Sequence, residues 1–207
     1  MNPLEEKAAW HRANASPKER LAIAAHELGH YEMAKRAGVD PEGITIGHHP
    51  RDRRSGSVLF GGDIDTGLTH SLDQWQRESE SIPPSERRMF ILSYVKYQYA
   101  GEIAEELVTG TGNNSGVVDS EVARRWMMKL GMSQDAMNRK EAELKQRVRE
   151  ELSEPTTKCK LVHAAQQLAE HHFDGQKHLS TTIDHYLNGG TYQDFQEGGK
   201  NGQHQQR

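Results

Sequence analysis

The chain has 207 residues, 34% hydrophobic and 27% charged, with 26 lysines and arginines against 30 aspartates and glutamates and a net charge of -4. That is enough for one domain with its own core, and the acidic balance excludes the basic footprint of a nucleic-acid binder. No apolar run approaches the roughly 18 residues of a membrane span, Met1 to Trp10 is too polar for a signal peptide, and the single Cys159 excludes a disulfide framework or a thiolate-cluster zinc site; the expected compartment is the cytoplasm.

Residues 1–15 read as a lead-in with a short helix over Leu4 to Ala13. A clear helix start follows. Ser16 can cap, Pro17 fits the first helical position and Glu19 completes a capping box, so a helix is expected from Pro17 to about Ala37, before Gly38. Gly43 to Gly47 and Ser57 to Phe60 are β-type runs on either side of a charged turn, which predicts a small hairpin. Residues 61–81 are loop-like, with a short helix near Leu72 to Glu78. From Pro84 on the pattern is helical: Ser85 to Gly110, Val118 to Leu130, a charged and exposed helix over Gln134 to Leu152, Thr157 to Phe173, and Ser180 to Leu187. Residues 189–207 are rich in Gly, Gln and Asn and read as a flexible tail. The expected fold is mainly α with a small β-sheet (α+β), the helix from Pro17 packed in a helical bundle.

The chemistry concentrates in His26-Glu27-Leu28-Gly29-His30. Two histidines at i and i+4 share one helix face, and their imidazoles can reach one zinc ion. Glu27 is turned by about 100° from His26, so it is placed to take a proton from a metal-activated water rather than to ligate. The surrounding Ala22, Ala25, Met33 and Ala34 suit a buried helix, and Gly29 inside it costs up to about 1 kcal/mol relative to Ala. Close approach of another element is a reason for that cost.

A catalytic zinc needs a third protein ligand and an open position. Asp119, after the glycine-rich loop, is one candidate and could equally be a first-turn acid serving the helix dipole. Glu102, Glu105 and Glu106 on the preceding helix, and His48, His49 and His70 in loops, are others. Spacing does not choose among them.

His26 to His30 after Pro17-Lys18-Glu19-Arg20 resembles the start of the peptidase domain of FtsH/paraplegin-type ATP-dependent zinc proteases. Ala100-Gly101-Glu102-Ile103-Ala104-Glu105-Glu106-Leu107-Val108-Thr109-Gly110 is similar to that family's Gly-Gly-Arg-x-Ala-Glu-Glu segment. Ser115-Gly116-Val117-Val118-Asp119 and Leu130-Gly131-Met132-Ser133 follow in the family's order. The resemblance covers most of residues 17–133. It implies a zinc peptidase domain over residues 16–188, with His26, His30 and Asp119 as metal ligands and Glu27 as general base. It also implies that Glu105 is a carboxylate behind the ligands that orients a ligand histidine. The strand Ser57 to Phe60 matches the region where the family pairs an extended polypeptide substrate along a sheet edge.

The departures are equally specific. There is no phosphate-binding Gly-x-x-x-x-Gly-Lys-Ser/Thr loop and no membrane anchor, Leu28 and Tyr31 replace small residues, and Glu102 stands in place of arginine. The expectation is a free-standing relative that cuts unfolded or flexible segments, depends on a separate ATPase or adaptor, or has lost activity. The family's hexamer is not carried over. Two rivals remain at this level. One is a non-catalytic zinc-binding regulatory or interaction module, which needs no Glu27. The other is a metal-free helical scaffold with Gln134 to Leu152 as its partner surface.

Overall fold

A computed structural model describes residues 2–48, 56–59, 83–112 and 116–196. The expected short helix near Leu72 to Glu78, and His49 and His70, lie outside the described residues. In chain order the elements are α1 (Pro3–Ala13), α2 (Pro17–Arg36), β1 (Gly43–Ile46), β2 (Gly56–Leu59), α3 (Pro84–Thr109), α4 (Val117–Lys129), α5 (Gln134–Ser153), α6 (Pro155–His171), β3 (Lys177–Leu179) and α7 (Ser180–Leu187). The fold is mainly helical with one small antiparallel sheet, as expected. Among the described residues no helix is long and apolar enough to cross a membrane.

The motif helix α2 is central. The Ser16 Oγ accepts from the Glu19 backbone N–H at 3.2 Å, and the Glu19 carboxylate accepts from the Ser16 N–H at 2.8 Å, so the capping box forms. Buried residues occur all round α2, from Ala24 and Ala25 to Leu28, Tyr31 and Met33. It packs against α3, α6 and the sheet. At the crossing with α3, a Cβ on Gly29 would overlap the Ala100 carbonyl oxygen and lie 2.6 Å from the Ala104 Cβ. The glycine is therefore required by a close approach of backbones, the reason its helical cost anticipated.

The sheet order is β2-β1-β3. β1 pairs with β2 in the register Ile44↔Val58 and Ile46↔Gly56, and with β3 in the register Ile44↔His178. Ile44, Ile46 and Val58 share the buried face, at 0%, 0% and 7% exposure. β3 was not anticipated: Lys177-His178-Leu179 is too short and polar to stand out, and only its pairing with β1 makes it a strand.

Two expectations need correction. The charged helix α5 is not simply exposed, because Met137, Leu144, Val148 and Leu152 form a buried stripe, and α5 packs on α3. The flexible tail expected over residues 189–207 is held in place as far as residue 196. His163 Nε2 donates to the Gly190 carbonyl at 2.8 Å, the Tyr192 N–H donates to Gln167 Oε1 at 2.9 Å, and His171 stacks on Tyr192 at 4.2 Å. Aromatic and amide partners on α6 outweigh the local Gly and Gln composition.

Candidate metal centre

Asp119 sits in the first turn of α4, but it does not cap that helix. It faces α2. Its Oδ2 lies 3.1 Å from His26 Nε2 and 3.5 Å from His30 Nε2, and the two Nε2 atoms are 3.0 Å apart. Among the described residues, this is the group of His, Cys, Asp and Glu whose ligand atoms could hold a metal ion. Ligands at 2.0–2.1 Å in a tetrahedral zinc site stand about 3.3 Å from one another, so the observed spacings suit zinc. Two imidazoles and one carboxylate also suit it chemically and leave a fourth position.

The other candidates point elsewhere. Glu106 pairs with Arg149 at 2.7 Å, and Glu102 lies 3.4 Å from Lys145. His48 packs beside Trp10, ring centroids 5.6 Å apart. Glu105 is 2% exposed and stands behind His26, its Oε2 3.7 Å from His26 Nδ1.

Ring orientation is set from α3. The His30 Nδ1–H donates to the Tyr97 carbonyl oxygen at 2.8 Å. A carbonyl can only accept, so a neutral His30 keeps its Nε2 lone pair for a cation. The Tyr97 ring also covers His30, at 4.7 Å between centroids. Gly101 supplies the remaining space: a Cβ there would lie 2.5 Å from His30 Nε2 and 2.6 Å from His26 Nε2. The two Nε2 atoms can therefore stand against α3 only because residue 101 has no side chain. The Tyr97 carbonyl left no trace in the sequence, whereas Gly101 was visible only as a small residue beside the acids.

Burial opposes charge on His26, but hydrogen bonds to Asp119 and Glu105 and the nearby Glu27 raise its pKa to about 10. For Asp119, burial works against ionisation, and the His26 and His30 hydrogen bonds overcome it, holding the carboxyl well below the usual range. Glu27 is 6% exposed. Burial raises its pKa, against the opposing charges of His26 and His30 and with help from Asp119.

Compared with protein-family models and with curated proteins, the chain matches none.

Proposed function

We propose that the chain is a zinc-dependent peptidase that hydrolyses peptide bonds in unfolded or flexible polypeptide segments in the cytoplasm, related to the FtsH/paraplegin-type peptidase domain. The observation that carries the reading is the convergence of His26, His30 and Asp119 on one point, beside a buried glutamate that metal binding alone would not need. His26 Nε2, His30 Nε2 and Asp119 Oδ2 would hold the ion, with the Tyr97 carbonyl and Glu105 behind the two rings. Zinc bound there would supply a Lewis acid for the scissile carbonyl and bring the pKa of a water towards about 7.

The proton chemistry falls to Glu27. Its carboxylate takes the proton of the attacking water and passes it to the leaving amine nitrogen. The polypeptide has a place to lie: among the described residues, β2 is paired on one side only, with β1. An added strand there would be held by its backbone, so sequence preference should be loose and folded segments should be poor substrates.

Glu27→Gln tests the reading. The variant should keep one zinc per chain and cut a reduced, alkylated protein about 100- to 10,000-fold more slowly. Cleavage by the variant at the wild-type rate removes Glu27 as the base. A zinc-loaded wild type that leaves the unfolded protein intact favours the non-catalytic zinc module.

A further inference from the structure

We propose that Gly56 is a positioning residue for Glu27: the side chain that β2 lacks at this position is the slot in which the glutamate stands. The register places residue 56 opposite Ile46, on the face that also carries Ile44 and Val58. The opposite face carries Thr45 and Ser57, whose hydroxyls are 2.9 Å apart. A side chain at 56 would therefore continue the buried row. The Glu27 side chain fills that place instead. A Cβ built on Gly56 would lie 2.5 Å from Glu27 Cγ and 2.8 Å from both Cδ and Oε1, well inside the 3.5–4.0 Å at which carbon atoms pack.

Backbone conformation does not explain the glycine. The described glycines with positive φ are Gly38, Gly43, Gly110, Gly131, Gly175 and Gly189, and Gly56 is not one of them. The requirement is spatial. Nor can Glu27 swing away freely, since it is 6% exposed. A methyl at 56 must therefore shift the carboxylate, while His26, His30 and Asp119, on α2 and α4, keep their places. The catalytic consequence rests on the peptidase reading above; the steric contact does not.

An activity measurement and a mutant cycle test the slot. The first reads cleavage of a reduced, alkylated protein. Gly56→Ala should lower kcat about 100-fold, the effect of moving a reacting group by about an ångström, with KM and one zinc per chain retained. The mutant cycle needs no activity. In chelator, Gly56→Ala should lower the unfolding midpoint by about 5 °C when residue 27 is Glu, and should leave it unchanged when residue 27 is Ala. If Gly56→Ala alone fails to fold, Glu27→Ala should restore folding.

A wild-type kcat in Gly56→Ala, loss of its zinc, or an equal midpoint loss in both backgrounds overturns the slot. A wild type without peptidase activity sinks the peptidase reading alone. The midpoint cycle then decides the slot: coupling between residues 27 and 56 upholds it, and its absence overturns it.

Discussion

Tyr97 serves His30 through its backbone: its carbonyl oxygen accepts from the His30 Nδ1–H at 2.8 Å. No substitution at residue 97 removes that acceptor, so the orientation of this ring depends on the placement of α3. Gly29 sets that placement by letting the two helices approach until a Cβ would overlap the Ala100 oxygen. His26 is held differently, with Nδ1 towards the Glu105 side chain at 3.7 Å. One ring is thus oriented by main chain and the other by a replaceable carboxylate, and the two should respond differently to mutation.

Asp119 is the proposed third ligand. Removing groups that only support a ligand typically weakens metal binding about 10- to 100-fold, and removing a ligand should cost more. Asp119→Ala should lose at least about 100-fold in zinc affinity, read by competition with a chromophoric chelator, and should lose peptidase activity with it. Zinc bound as tightly as in the wild type would give the third position to another group.

Glu105 should behave as a supporting carboxylate. Glu105→Gln keeps an oxygen that can accept from the His26 Nδ1–H but loses the charge facing the ring. The expected result is one zinc per chain with an affinity about tenfold weaker. An unchanged affinity would make Glu105 a packed acid without influence on the site.

Much of this arrangement was legible because it is local. The capping box at Ser16 and Glu19, the i and i+4 spacing of His26 and His30, and the glycine inside α2 are all short-range signals, and each appears where expected. Asp119 was one candidate among several by spacing, and only the resemblance singled it out. What brings it to the histidines is the packing of α3 and α4, across 93 residues from His26. The Tyr97 carbonyl is main chain and carries no residue signature. Gly56 carried no signal of its own, because the side chain it meets belongs to a helix about thirty residues earlier. The docked segment to residue 196 was missed because its partners, His163, Gln167 and His171, lie on another element.

Gly29→Ala sets two effects against each other. Helix propensity alone would favour Ala by about 1 kcal/mol. Overpacking a tight contact costs about 1–3 kcal/mol. Here the obstructing Ala100 oxygen belongs to the backbone of α3 and cannot rotate aside, so the upper end of that range applies. The variant should be less stable by about 2 kcal/mol once the propensity gain is subtracted, as measured by urea unfolding in chelator. A variant more stable than the wild type would refute the close crossing.

His172 should make the fold acid-sensitive away from the candidate metal site. It is 8% exposed, its Nε2 is hydrogen-bonded to the Tyr186 hydroxyl at 2.6 Å, and its ring is 4.4 Å from that of His178. Burial first, and then repulsion from His178 and His171 against attraction by Asp174, lowers its pKa from 6.5 to about 4. The unfolded chain therefore binds a proton between these values that the native state refuses. The neutral histidine's contribution to stability is fully present above pH 6.5, falls as the pH drops towards about 4, and is exhausted below that. His172→Gln preserves a polar partner for Tyr186 and removes the titration. Unfolding free energies measured in chelator between pH 4 and 6.5 should depend on pH less steeply in the variant, by a slope of about one proton. Parallel slopes for the two proteins would mean that His172 is charged in the folded chain.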